Sequence, residues 1–219
     1  MEPNWAADHL QVIRTLMERS AVYRRALAPI MIYVGLVGLA ASCAGYFLKL
    51  REVYAFILYW YGVGAVALTG AFLMVRRQAW QQAEPLWSPP TRRVAHAMLP
   101  ALTSGFLLGA LVAVLDALPA PVPPPTGEPR PTELALVVLP LIWVILYGCA
   151  IHAAGFFMHR GIRLLGWLIL ILGCAAFLVP RSGNAPVVPG HVLMGFFFGA
   201  IHLAYGVYLY FTEQRRNEP

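Results

Sequence analysis

The sequence predicts an all-α, polytopic membrane protein, and three observations predict it. The chain of 219 residues is 59% hydrophobic and only 12% charged, whereas soluble domains average about 25% charged residues. Its mean hydropathy is +0.65. Its apolar residues also gather into six runs, each close to the roughly 20 residues that a helix needs to cross about 30 Å of hydrocarbon. The runs are 27–48, 53–75, 94–118, 134–157, 162–179 and 189–211, which together make a transmembrane domain over 27–211.

Ahead of the first run, residues 5–26 read WAADHLQVIRTLMERSAVYRRA. Ala6, Leu10, Ile13 and Met17 recur at helical spacing, with Arg14, Glu18 and Arg25 elsewhere on the wheel. The segment 1–26 is expected to be an amphipathic helix lying on the membrane surface, with docking of a partner as the alternative. The chain then turns inward near Pro29. LAASC at 39–43 has the look of a lipoprotein cleavage site, but a basic leader of about 25 residues is too long for a signal peptide, so the first helix is read as uncleaved.

The second helix opens VYAFILYWYG, with Tyr54, Tyr59, Trp60 and Tyr61 in one half. An interfacial aromatic belt accounts for such residues, and a quinone- or lipid-contacting cleft is the sharper alternative. Gly62, Gly64 and Gly70 behind them suggest close packing. The connection RRQAWQQAEPLWSPPTRR, 76–93, reads as an interface-hugging loop. Between the third and fourth helices, LPAPVPPPTGEPRPTE, 118–133, reads as an extended polyproline-like linker. It divides the helices into two sets of three of opposite topology, an arrangement used by transporters. Residues 212–219 form a polar tail.

Orientation follows from the 16 lysines and arginines. Arg14, Arg19, Arg24, Arg25, Arg76, Arg77, Arg92, Arg93, Arg160, Arg163, Arg215 and Arg216 fall on one side, and only Lys49, Arg51, Arg130 and Arg181 on the other. The positive-inside rule places both termini in the cytoplasm, as in a bacterial inner-membrane protein. The net charge of +6 is then a topology signal plus attraction to anionic lipid headgroups, and calls for no nucleic-acid partner. Cys43, Cys149 and Cys174 all lie within spans and read as small packing residues rather than a disulfide framework.

Ionisable residues inside a membrane are functional candidates by default, and here they are mainly histidines. The fourth and sixth helices share an A-I-H-x-A pattern, Ala150–Ala154 and Ala200–Ala204, which puts His152 and His202 at about the same expected depth. Tyr147, Gly148 and Gly155 accompany the first histidine, and Gly199, Tyr205 and Gly206 the second. Such small residues permit close helix approach or leave room for a flat ligand.

Three readings of His152 and His202 stay open. In the first, each is a packed residue bonded to a neighbouring carbonyl or hydroxyl. In the second, the two are axial ligands of a b-type haem, since imidazole ligates haem iron and helix bundles hold such groups. In the third, they line a proton-coupled or small-substrate pathway with Tyr147 and Tyr205. No metal is indicated by spacing. His159 beside Arg160, and His96, read as wetted interface residues.

Thr103-Ser104-Gly105 with His202 is faintly similar to the serine and histidine of rhomboid proteases, but Leu102 replaces the first motif glycine and the serine stands on the third span. The chain therefore reads as non-enzymatic. MERSAVYRRALAPIM, 17–31, LLGWLILILGCAAF, 164–177, and FGAIHLAYGVYLY, 198–210, resemble bacterial six-span inner-membrane proteins. That resemblance implies a single membrane module and carries over no functional residue. The expected function is small-ligand binding, sensing or transport at a histidine site between the fourth and sixth helices. The alternatives are a haem-bearing electron-transfer module and an accessory subunit of a membrane complex. The expected partners are the bilayer and a small molecule or a membrane protein, and self-assembly into an oligomer is compatible with so small a bundle.

Overall fold

The computed structural model describes residues 27–81, 87–118, 131–178 and 189–217. All the regular structure among them is helical. α1 covers Leu27–Phe47, α2 Val53–Gln81, α3 Pro89–Ala117, α4 Pro131–Ala154 and α5 Arg160–Leu178. The last element, α6, is built of three continuous stretches, Gly190–Met194, a π-helical turn Gly195–Ala200, and Ile201–Asn217. Among the described residues six helices are long and apolar enough to cross a membrane. The expected surface helix at 1–26 and most of the proline-rich linker lie outside the described residues.

Where helices start and stop departs from hydropathy for local reasons. α2 runs through Arg76, Arg77 and Trp80 to Gln81, so the first part of the expected 76–93 loop is helix; Arg, Gln and Ala are good helix formers, and a helix does not end because its residues become polar. The Arg76 guanidinium covers the Trp80 ring at 4.8 Å. α3 starts on Pro89 and Pro90, where a missing N–H costs nothing. α4 stops at Ala154, short of the expected Phe157. There the Gly155 N–H is shared between the Ile151 and His152 carbonyls at 3.0 and 3.1 Å, a tightening common in a last turn. α1 ends in a Schellman motif. The Leu50 N–H reaches the Gly45 carbonyl at 3.3 Å and the Lys49 N–H reaches that of Tyr46 at 3.2 Å, with Lys49 in the left-handed region at φ 54°.

Two glycine seams hold the bundle. α1 and α6 run antiparallel in close contact: an added Cβ at Gly35 would lie 2.5 Å from the Leu203 nitrogen, at Gly38 2.6 Å from the Phe198 oxygen, and at Gly206 2.7 Å from the Ile32 nitrogen. Gly195 and Gly199 face Ser42 and Leu39 across the same seam. α4 and α5 form the second seam, where an added Cβ at Gly148 would lie 2.9 Å from the Leu170 nitrogen and at Gly155 2.6 Å from Arg163. Between helices as apolar as these, such close backbone approach gives extensive van der Waals contact.

One core cluster joins Leu27 and Met31 of α1, Val144 and Ile151 of α4, Leu165 and Ile169 of α5, and Phe197 of α6. The other joins Ala41, Phe56, Ile57, Trp60, Ala113, Leu139 and Met194. α4 and α6 are the most enclosed spans, and α2 and α3 the least. Outward faces carry exposed Leu68, Phe72, Leu107, Leu111, Leu168 and Ile171. An apolar exterior of this extent suits a lipid-facing surface. Cys43 and Cys174 are free thiols on that outer surface, and Cys149 is half-buried, so only the last has a packing role.

Candidate functional site

His202 is fully buried near the middle of α6. The π-helical turn before it determines what its ring meets. The turn's last bond runs from the Ile201 N–H to the Phe196 carbonyl. When the ladder returns to α spacing it passes over the Phe197 carbonyl, because a π-turn holds one residue more than the α ladder can pair. His202 Nδ1 fills that vacancy at 2.9 Å. A carbonyl can only accept, so Nδ1 carries the proton, and in the neutral ring Nε2 is an acceptor. The Tyr147 hydroxyl on α4 donates to it at 2.7 Å. Phe198 stacks on the ring at 6.2 Å with planes 12° apart, and packs also against Tyr147 at 4.8 Å.

His152 has a different setting. It lies in the last turn of α4, five residues beyond Tyr147 and so about 7.5 Å nearer that helix end at 1.5 Å per residue. Its Nδ1 is 3.4 Å from the Arg163 carbonyl of α5, and its ring lies edge-on to Phe156 and Trp167 at 5.2 and 4.9 Å. The Arg163 guanidinium covers the same Phe156 ring at 5.3 Å. The α4 residue level with His202 is thus Tyr147. Equal depth for the two histidines presumes a longer α4, and the helix ends three residues earlier.

The lining residues divide in the same way. Gly148 and Gly155 are filled by α5, while Gly199 and Gly206 are filled by α1. Their notches hold neighbouring helices, which leaves no flat slot between His152 and His202. Among the described residues the buried Tyr205 hydroxyl has no hydrogen-bond partner; it faces Gly161 at the start of α5. Both His202 nitrogens are engaged by protein groups, so an iron ligand at this position would have to displace Tyr147. Among the described residues no group of three or more His, Cys, Asp or Glu is gathered as a metal site. Ser104 donates to the Pro100 carbonyl of its own helix at 2.7 Å, and with His202 held by Tyr147 and Phe197 no serine–histidine pair is assembled.

The chain matches no family model, no curated protein and no solved structure. Its chemistry is therefore read from its own residues.

A second histidine centre is not foreshadowed by the sequence pattern. His191 is buried at the start of α6, where Trp60 Nε1–H donates to its Nδ1 at 3.2 Å. Its Nε2–H donates to the Leu50 carbonyl at 3.0 Å, so its tautomer is opposite to that of His202. Phe56, Tyr59 and Trp60 surround the ring at 4.9, 5.8 and 6.0 Å. The aromatic half of α2 is the one signal along the chain that points to it. Tyr59 donates to the Ala41 carbonyl at 2.6 Å and Tyr61 to that of Phe106. Of Tyr54, Tyr59, Trp60 and Tyr61, only Tyr54 is exposed as an interfacial belt residue would be. His159 and His96 are exposed, and His159 Nδ1 accepts the Gly161 N–H at 3.1 Å at the start of α5.

Proposed function

We propose that the chain is a multi-pass bacterial inner-membrane protein, with both termini cytoplasmic, that carries a small molecule by a proton-linked change at His202 and Tyr147. The orientation rests on the uneven placement of its arginines. The observation that carries the functional reading is a fully buried imidazole bonded at once to a π-helical turn of its own helix and to a hydroxyl of another. A buried ionisable group within a membrane span is a functional candidate by default, and π-turns recur at functional positions. Protonation of Nε2 turns its lone pair into an N–H that faces the Tyr147 hydroxyl proton. The hydroxyl must then rotate and accept, which links the charge on α6 to the position of α4.

The test uses the whole protein in liposomes with an imposed pH gradient, incubated with a small-molecule extract of bacterial cytoplasm. Vesicle contents are read by mass spectrometry. The expected result is a compound accumulated by the wild type and lost in His202→Asn and Tyr147→Phe. Equal contents in wild type, variants and protein-free vesicles would overturn the proposal.

A further inference from the structure

We infer that the first stretch of α6, Gly190–Met194, is a proton-released latch, closed by His191 and hinged on the π-helical turn Gly195–Ala200. The inference stands apart from any ligand at His202, since it concerns the opposite end of α6 and a different set of bonds.

Three hydrogen bonds close the latch, each to a different part of the first 60 residues. Ser42 Oγ on α1 donates to the His191 carbonyl at 2.7 Å. Trp60 on α2 donates to Nδ1, and Nε2–H donates to the Leu50 carbonyl in the α1–α2 connection. The Schellman motif that ends α1 is what turns Leu50 toward the ring. Gly45 makes the space, since an added Cβ there would lie 2.5 Å from His191 Nδ1. At its base the stretch touches α4, where a Cβ on Gly190 would lie 2.6 Å from the Leu136 carbonyl.

The hinge adjoins the latch. Hydrogen bonds that step by five residues replace the α ladder over Gly195–Ala200, and helices bend at such π-turns. Phe198 and Gly199 in the later part of the turn, and the residues beyond it, are pinned by the α1 seam and by Tyr147. Movement at the latch is therefore absorbed at the beginning of the turn, where Gly195 meets chiefly the side chain of Ser42.

The trigger is the only lone pair of the neutral His191 ring. Trp60 N–H occupies it, and indole nitrogen can only donate. A proton arriving on Nδ1 sets N–H against N–H, and no rotation of Trp60 supplies an acceptor. Among the described residues, the surrounding groups do not supply a charged acceptor either. α1 presents Ser42 and Gly45; the connection presents Leu50, whose neighbours Lys49, Arg51 and Glu52 are exposed. α2 presents Phe56, Trp60 and Tyr59, whose hydroxyl proton goes to Ala41. α4 presents the Leu136 carbonyl beside Gly190, and Asp116 at the same end of α3 is half-buried. Ring faces attract the imidazolium but accept no hydrogen bond from Nδ1 in place of Trp60. The charged ring is better served by water, which it reaches when the stretch swings away from α1 and α2.

Distances between nitroxide labels test this in lipid nanodiscs. The labels are carried by Arg51→Cys and Val192→Cys, both at exposed positions, in a chain bearing Cys43→Ala, Cys149→Ala and Cys174→Ala. The expected result is one distance at about pH 8 and a second, longer one whose share grows steadily as the medium is acidified to about pH 4, well below the unperturbed imidazole value. His191→Phe and Trp60→Phe should each remove the pH response. An unchanged distance across that range, or an acid response that persists in either variant, would overturn the latch. Should His191→Phe fail to fold, Trp60→Phe decides alone: it keeps the histidine and removes only the opposing donor, so a retained response overturns the inference.

Discussion

Tyr147 and His202, 55 residues apart in the chain, are joined across α4 and α6 by a hydrogen bond of 2.7 Å. The same ring is tied to Phe197 on its own helix, so it has no spare hydrogen-bonding capacity in its neutral form. Tyr147→Phe leaves a buried acceptor unpaired, at a cost of about 1–3 kcal/mol. A lowered thermal unfolding midpoint in detergent checks this. Combined with His202→Phe, the two changes should cost less than the sum of the single ones, because residues sharing one bond are not additive.

The seam between α1 and α6 makes a sharper contrast. Gly38→Ala would set a Cβ 2.6 Å from the Phe198 carbonyl oxygen, which is backbone and cannot swing aside. Overpacking of this kind costs about 1–3 kcal/mol. Gly62 and Gly64 on α2 have nothing within 4 Å of an added Cβ. Gly62→Ala and Gly64→Ala should therefore be neutral or stabilise by up to about 1 kcal/mol through helix propensity. Thermal midpoints of the three variants in one detergent decide it.

Six spans are legible along the chain because hydrophobic length is a property of composition, and the residue patterns carry it directly. Their ends are less so, since α2 continues through Arg76 and Arg77 and α4 halts at Gly155 for reasons of propensity and backbone approach. His202 is visible as a buried ionisable group and Tyr147 as a residue near the site, but the bond between them is not. An A-I-H-x-A match aligns letters, whereas the α4 residue level with His202 is Tyr147, set by where α4 stops. The π-turn leaves no mark in a run as apolar as GFFFGA. His191 reads only as a residue at a helix end, because nothing along the chain reveals that Gly45, Leu50 and Trp60 converge on it.

His152 should behave unlike His202. Among the described residues its one side-chain hydrogen bond is long, at 3.4 Å, and its ring packs on Phe156 and Trp167. His152→Phe keeps that packing and should cost less than about 1 kcal/mol, within the range of conservative changes. His202→Phe leaves the Phe197 carbonyl without its donor and should cost about 1–3 kcal/mol more. Unfolding midpoints compared side by side would refute the distinction if the two variants matched.

Lys49 at φ 54° occupies a conformation that L-residues with a Cβ adopt at a cost of roughly 1–2 kcal/mol. Glycine has no such cost, so Lys49→Gly should raise stability, by up to about that amount less the entropy glycine adds to the unfolded chain. A raised thermal midpoint is the expected reading. A lowered one would mean that the Lys49 side chain contributes more at the membrane surface than its backbone strain takes away.

Deletion of a single residue separates the π-turn from ordinary helix. The turn carries one residue beyond what the α ladder needs, so removing exposed Phe196 lets the ladder close with α spacing while His191 and His202 keep their faces. The seam contacts at Leu203 and Gly206 stay in register, and the protein should fold with a thermal midpoint near that of the wild type. The carbonyl that His202 now caps would instead be paired by a backbone N–H, so Nδ1 loses its acceptor and the latch loses its hinge. Acid-dependent lengthening between labels at 51 and 192 should then disappear in a folded protein. Removing exposed Ala204 from the α-helical stretch is the counterpart. Each residue of an α-helix turns the chain by about 100°, so this deletion rotates Gly206 off the α1 seam and should prevent folding. If both deletions fold equally well, or neither folds, the turn is not an extra-residue hinge.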